Sequence, residues 1–342
     1  MARRRRTRRW PWIPVFLLLL AAVVLLQFRR NGSVSGAGKL ARVTIPVGAT
    51  LDVVAESLQA ARVIRSARVF RTEAMLRGSG ESPIQPGRYV VQRGASTTAL
   101  LEQLRNGTNR FRRLTIPEGW GIRQIARLMQ DSLGIDSTEL FAAARDSARR
   151  ARMQTKAPDV EGYLFPATYD FTDDVTPAGV VDTMLLTFER RWKSAWDTAL
   201  TRQGRSRHDV VTLASIVEKE AGRDEDRAMI ASVYANRLRA GMRLQADPTV
   251  LYAMKLVAKR VMYADLRVDS PYNTYRVSGL PPGPIASPGT ASLAAAIEPA
   301  TSDAMFFVAF PDGHSEFTKT FAQHSAAVKA SRQARDAAAT SP

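Results

Sequence analysis

Residues 210–238 read V-V-T-L-A-S-I-V-E-K-E-A-G-R-D-E-D-R-A-M-I-A-S-V-Y-A-N-R-L, and the rest of the chain is organised around them. Val210, Leu213, Ala214, Val217 and Ala221 recur at helical spacing, which predicts a helix with one apolar face. Gly222 and the charged run behind it predict a break, and Met229 to Leu238 a second helix. Two carboxylates close the first helix. At about 100° per residue, Glu218 and Glu220 point roughly 200° apart, so they cannot serve one site as a close pair. Glu220 stands one helical turn after Val217 and two after Leu213, on the edge of the apolar stripe; Glu218 lies nearer Val211 and Ser215. A carboxyl group on a buried stripe is desolvated, and desolvation raises its pKa toward the range a general acid needs. The alternative is that both glutamates solvate a helix end, with Glu220 paired to Arg223 at i+3.

Composition narrows the classes. A chain of 342 residues with 45% hydrophobic content suits two or three domains with packed cores. The net charge is +17; residues 1–30 hold eight arginines and no acid, so 17 less 8 leaves +9 for the remainder. That excess suits an anionic partner: nucleic acid, a membrane surface or an anionic polymer. The chain has no cysteine, which excludes disulfides, thiol catalysis and cysteine-ligated zinc. Its three histidines, His208, His314 and His324, are too scattered for an H-E-x-x-H helix, so no metal and no cofactor is expected.

The chain begins M-A-R-R-R-R-T-R-R, and Trp10 to Phe28 then runs without Asp, Glu, Lys or Arg. As a helix that span is roughly 28 Å long, enough to cross a bilayer core. Trp10 and Trp12 sit where an interfacial aromatic belt would be, and the arginines before the span favour a cytoplasmic N-terminus with the rest of the chain outside. A cleaved signal peptide is the alternative, against which the length of the apolar run and Arg29-Arg30 behind it both argue. Residues 31–40 read as a flexible linker.

A pattern then recurs. Val43 to Gly48, Tyr89 to Gly94 and Leu114 to Gly119 are each a β-rich run ending in a glycine turn, and each leads into a helical run. Leu58, Leu104 and Met129 hold the last apolar position of each copy. Strand–turn–helix used three times predicts small α+β modules. The middle copy resembles LysM, a module that binds N-acetylglucosamine polymers; plain scaffolding is the alternative. Residues 136–156 read as a basic, alanine-rich linker helix. Glu161 to Asp170, E-G-Y-L-F-P-A-T-Y-D, is no ordinary helix: it either lines a carbohydrate cleft or packs as an extended loop on the core. Residues 175–202 read as one helix with Met184, Leu185, Phe188 and Trp192 on a face. Asp247-Pro248 reads as a helix start with Asp247 as cap. Gly279 to Gly289, G-L-P-P-G-P-I-A-S-P-G, is rigid irregular backbone, by default a surface crossing. Met305 to Phe310 and Glu316 to Phe321 read as a hairpin, and the polar tail from Gln333 as frayed.

Taken in order, I-V-E-K-E-A-G, S-V-Y-A-N-R-L, G-M-R-L-Q-A-D-P-T-V-L-Y, Y-N-T-Y and G-L-P-P-G-P-I-A-S-P-G resemble the MltG (YceG-like) family of membrane-anchored endolytic murein transglycosylases. The resemblance implies non-hydrolytic cutting of the MurNAc–GlcNAc bond inside nascent peptidoglycan strands. It implies a 1,6-anhydro-N-acetylmuramic acid end and terminated glycan elongation. It makes Glu220 the catalytic residue, as the second glutamate of the E-K-E motif. E-A-G-R around it is also similar to the E-A-R-G of spore cortex-lytic enzymes. One departure is Ala221, where the family often has Thr or Ser. With their polar content, the resemblance makes Gln245, Tyr272, Asn273, Tyr275 and Glu161 candidates for the substrate-binding cleft. The implied partners are peptidoglycan strands, the plasma membrane and peptidoglycan synthases, at the inner membrane with the catalytic domain outside the cytoplasm. Nucleic acid is not among them, since no basic recognition helix is present. The competing class is a non-catalytic membrane-anchored peptidoglycan-binding tether.

The expected fold class is therefore α+β: an N-terminal transmembrane helix, small LysM-like α+β modules, then a mixed α/β catalytic domain. The expected boundaries are a basic tail at 1–9, the membrane helix at 10–28, a linker at 29–40, the LysM-like region at 41–135, a linker helix at 136–156, the catalytic domain at 157–332 and a tail at 333–342.

Overall fold

In the computed structural model the described residues are 38–76, 83–107, 110–256 and 261–340. They form a mixed α+β fold. The expected membrane span, Trp10 to Phe28, lies outside the described residues; among these no helix is long and apolar enough to cross a membrane. The chain divides into two compact units. One holds the described residues up to Arg112 together with Asp170–Asp174; the other is Arg113–Tyr169 with Val175–Pro342.

The repeated strand–turn–helix pattern is present in all three places. Strand β1 (Leu40–Ile45) leads through Gly48 to helix α1 (Leu51–Ala60), and α2 (Ala67–Leu76) follows. Strand β2 (Gly87–Gln92) leads through Gly94 to α3 (Thr97–Asn106), and β3 (Arg110–Thr115) through Gly119 to α4 (Ile122–Leu133). The three glycines have φ of +72°, +75° and +74°, a left-handed turn that costs glycine nothing and any side chain something. Leu58, Leu104 and Met129, each at the matching helical position, are all 0% exposed.

Within the first unit, β1 and β2 pair antiparallel, with Leu40 opposite Gln92 and Ile45 opposite Gly87. Side chains of β1 alternate strictly, so Ala41, Val43 and Ile45 point into the core. There they meet Val54, Leu58, Phe70, Tyr89 and Leu104. Thr50 and Ser96 cap α1 and α3 by accepting from the Val53 and Ala99 amides. The four-stranded sheet has the order β1-β2-β3-β4, β4 being Thr168–Thr172. The division falls after Arg112, within β3 and not at 135, so Gly119 and α4 of the third repeat lie in the second unit. Residues 136–156 are no linker either: they form α5 (Ser137–Ala144) and α6 (Ser147–Met153), whose Leu140 and Met153 are fully buried.

In the second unit, the helix expected over 175–202 is two, α7 (Pro177–Arg191) and α8 (Ser194–Gln203). Trp192 between them is extended and stacks on Phe188 at 5.6 Å. Tyr163 and Phe165 also pack on Phe188, at 5.1 and 6.4 Å, so the aromatics of the E-G-Y-L-F-P segment are core and not cleft.

The central helix α9 (Arg207–Glu220) starts in a capping box between Ser206 and Asp209. Its residues Val210 to Val217 are all 0% exposed, so the helix is buried on every face and not on one. Its polar groups are satisfied locally: the Thr212 hydroxyl donates to the His208 carbonyl, and that of Ser215 to the Thr212 carbonyl. Helices α10 (Arg227–Arg239) and, later in the chain, Thr290–Ile297 pack against it.

The proline–glycine segment Gly279 to Gly289 is not a surface crossing. From Gly283 to Gly289 every residue is buried, and the amides of Ile285, Ser287 and Gly289 each find an acceptor. The Ile285 amide donates to Ser215 Oγ at 3.0 Å, the Ser287 amide to the Trp120 carbonyl at 2.8 Å, and the Gly119 amide to the Ser287 carbonyl at 2.9 Å. His208 Nε2 lies 3.0 Å from the Pro282 carbonyl, which gives this histidine a structural use. Gly162, at φ +81°, lets Pro284 approach: a Cβ there would lie 2.3 Å from the proline Cβ. The remaining elements are α11 (Asp247–Ala253), α12 (Thr290–Ile297), the hairpin β5 (Phe306–Ala309) with β6 (Ser315–Thr318), and α13 (Phe321–Thr340). The tail expected to fray from Gln333 is helical to Thr340, tied down by Ser331, whose hydroxyl donates to the Ala309 carbonyl.

Candidate active site

Glu220 is the last residue of α9. The helix stops there because Ala221 turns extended (φ −70°, ψ 115°) while its amide still donates to the Val217 carbonyl. No side-chain hydroxyl is needed at that cap, so Ala221 serves. Glu220 lines a recess of about 350 Å³, whose wall also includes Tyr234, Arg237, Gln245, Asp247 and Tyr275. Phe306 and Phe307 of β5 and Phe321 and His324 of α13 supply its aromatic side. The Tyr234 hydroxyl, on a side chain only 1% exposed, donates to Glu220 Oε1 at 3.0 Å. Burial pushes the Glu220 carboxyl up to about 7 against the Tyr234 hydrogen bond, which pulls it down, and the negative charge of Asp247 adds to the rise. The positive charge of Arg237 also pulls it down, but only through space. Its guanidinium donates to the Met305 and Leu244 carbonyls and stacks over Phe306 at 5.3 Å. A half-buried carboxylic acid at the wall of an open recess is thus poised both to give and to take a proton.

Glu218 goes elsewhere, as the angular separation requires. It accepts from Arg227 at 3.3 Å and from the Gly289 amide at 2.9 Å, and its side chain is 6% exposed. It ties α9 to α10 and to the start of α12. Arg223 leaves Glu220 alone; it bonds the Asp312 carbonyl and lies 3.6 Å from Glu225. The pairing of Glu220 with Arg223 is therefore not formed.

The other predicted residues divide. Gln245 and Tyr275 share the recess with Glu220. Gln245 has φ +53° and an exposed side chain, and the segment around it is docked on Thr274 through the Gln245 and Ala246 amides. Tyr275 donates to Asp247 Oδ1 at 2.6 Å. Asn273 is not a wall residue. It is 0% exposed, its amide donates to the Leu266 and Val268 carbonyls, and its oxygen accepts from the Tyr275 amide. It braces the loop that presents Tyr275. Tyr272 packs on Tyr252 at 4.7 Å, and the Tyr252 hydroxyl reaches Glu161 Oε2 at 3.3 Å. Glu161 lines a second recess, not the one that holds Glu220.

Three wall residues escaped the sequence reading. Asp247 read as a helix cap; in the structure it is the first residue of α11 behind Ala246, and its carboxylate is free to face Tyr275. Tyr234 and Arg237 sit at core spacing on α10, and nothing in their spacing separates them from packing residues. The one usable signal was chemical: a buried tyrosine hydroxyl needs a polar partner, and a nearby glutamate is the strongest available.

Glu161 is 3% exposed, accepts from the Ile122 amide at 2.7 Å, and is pushed by burial up to about 8. The fold therefore binds a proton that the unfolded chain, near 4.5, has released. That contribution to stability is complete below the unfolded value and is lost as pH rises through the folded one. Thermal unfolding followed between about pH 5 and pH 9 should show stability falling along this limb, and Glu161→Gln should flatten it.

The chain matches the model of the YceG-like family over residues 43–330. It is 34% identical over 300 residues to the endolytic murein transglycosylase of Bacillus subtilis (strain 168), covering 83% of each chain. It is 30% identical to the endolytic murein transglycosylase of Streptococcus pneumoniae serotype 2 (strain D39), covering 79% of this chain and 54% of that longer one. The crystal structure of a yceG-like protein, lmo1499, from Listeria monocytogenes superposes with a TM-score of 0.60 at 34% identity, over 84% of this chain and 98% of the other.

Proposed function

The chain belongs to the YceG-like family, and from that premise and the geometry around Glu220 we propose that it is an endolytic murein transglycosylase. The observation that carries the mechanism is the single desolvated glutamate facing an open, aromatic-sided recess, held by a buried tyrosine. Neutral Glu220 protonates the oxygen that joins N-acetylmuramic acid to N-acetylglucosamine. The bond to C1 breaks, and the substrate's N-acetyl group stabilises the oxocarbenium-like centre. Glu220, now ionised, takes the proton of the C6 hydroxyl as that oxygen attacks C1. The ring closes to the 1,6-anhydro sugar, and Glu220 ends protonated as it began. An intramolecular nucleophile needs no water and no second carboxylate; holding it in place makes the step unimolecular. Tyr234 fixes the orientation of the carboxyl, and Gln245 and Tyr275 are the groups available to hold the sugars.

The location is part of the same reading. The charge-free Trp10–Phe28 span behind an arginine cluster supports an anchor in the inner membrane, with the N-terminus cytoplasmic and both units outside. There the enzyme meets strands as synthases extend them, and an internal cut ends elongation. The names of the relatives, all enzymes, favour this over a tether. Full-length protein incubated with purified sacculi should release soluble fragments with 1,6-anhydro ends, read by mass; sacculi left intact would support the tether. Because the reaction starts from the acid form, kcat/KM should fall as pH rises through about 7, the value to which burial holds Glu220. A flat profile across that range would remove the proton donor from Glu220.

A further inference from the structure

The second recess has a composition that glycan alone does not explain. It encloses about 300 Å³, and Arg123, Lys219 and Lys255 all line it, with Gly119, Gly121 and Tyr252 between them. Among the described residues that line it the only acid is Glu161, which burial keeps protonated at neutral pH. Among the described residues none of the three cations forms an ion pair; Lys219 donates to the Gly119 carbonyl at 3.3 Å. Three like charges gathered on one recess repel each other unless an anion sits between them. An apolar side made by Pro248, Leu251 and Ile285 completes the recess.

Its place in the fold ties it to the reaction. Lys219 lines this recess and Glu220 the other; Pro248 lines this one and Asp247 the other. Consecutive residues thus divide between the two recesses at two separate points, which makes them neighbours across a shared wall. A muramic acid at Glu220 carries a peptide on its lactyl ether, and that branch needs a place beside the cut sugar. The branch has carboxylates for the cations and small methyl-bearing residues for the apolar side.

We propose that this second recess receives the stem peptide of murein, with a peptide carboxylate held among Arg123, Lys219 and Lys255. The inference rests on the murein reading above and extends it: the enzyme recognises peptide-bearing strands, not glycan alone. Glu161, as a neutral acid in the lining, sets no charge of its own against the anion.

The test is calorimetric binding to the full-length Glu220→Gln protein, which does not turn its ligand over. The probes are a soluble muropeptide, the same saccharide stripped of peptide, and the muropeptide with its carboxylates amidated. The intact muropeptide should bind about tenfold more tightly than either of the others. That advantage should weaken with added salt and vanish in the Arg123→Ala/Lys255→Ala double variant, while Arg123→Lys/Lys255→Arg restores it. Equal affinity for all three probes, with saccharide binding intact, would overturn the peptide site and leave the transglycosylase reading standing. No binding of any probe would take both down. Inorganic phosphate that displaces the muropeptide while amidation has no effect would assign the cations to a phosphate instead. Both side chains are exposed and both double variants should fold, which circular dichroism checks.

Discussion

Glu220→Gln is expected to lower the rate of strand cleavage by roughly 10²–10⁴ with the fold unchanged. The substitution keeps the size of the side chain and leaves an oxygen to accept the Tyr234 hydroxyl, so the local packing survives. What it removes is the proton. An amide cannot protonate the glycosidic oxygen or accept the C6 proton, and the recess offers no replacement acid at the same place, since Asp247 is held by Tyr275. Glu218→Gln, on the same helix, should retain most activity, because its partners are Arg227 and the Gly289 amide and not the recess. Both variants assayed on one batch of sacculi, with circular dichroism alongside, decide the assignment. An active Glu220→Gln beside a dead Glu218→Gln would reverse it.

Glu218→Ala should produce the larger loss of stability. Its carboxylate lies between Arg227, 11% exposed at the side chain, and the amide that begins α12. Removing it leaves a buried guanidinium short of a counter-charge and a buried N–H without an acceptor. Breaking one side of a buried pair costs about 3–5 kcal/mol. The low end applies, because Arg227 keeps Asp224 and a bond of 3.0 Å to Ser292 Oγ. Denaturant titration should therefore show a midpoint well below that of the parent. A midpoint within error of the parent would mean that the contacts of Glu218 are incidental to the fold.

These two glutamates also show how far sequence reasoning reached. The angular argument separated them correctly, and they do go to different partners. The desolvation expected of Glu220 is present, but it does not come from a one-sided stripe: Val210 to Val217 are buried on all sides, and Glu218 is buried as well. Periodicity registers which residues are hydrophobic, but Thr212 and Ser215 look like a polar face until their hydroxyls are seen bonding within the helix. What distinguishes Glu220 is its surroundings, a recess built by the next helix, α10, and by α11, β5 and α13 from further along the chain.

The local signals fared better than the long-range ones. Glycine turns at Gly48, Gly94 and Gly119 were legible because a left-handed φ is a backbone requirement written in one residue. The Gly279 to Gly289 segment was misread for the opposite reason. Dense proline and glycine ordinarily mark exposed loops, and this one is buried only because Ser215, Trp120, Gly119 and Glu218 each answer one of its backbone groups. Asp247 and Asn273 exchanged expected roles in the same way. A cap motif concealed a recess carboxylate, and a motif asparagine proved to be a loop brace.

The presence of Asp247 in the same recess as Glu220 sharpens the central question, because two carboxylates are what a hydrolase would use. Digestion of sacculi in water enriched in heavy oxygen answers it. An attack by the sugar's own C6 hydroxyl predicts fragments with 1,6-anhydro ends and no heavy oxygen at the new terminus. Fragments that carry one solvent oxygen on each new muramic acid end would contradict the account and make Asp247 the partner of Glu220 in hydrolysis.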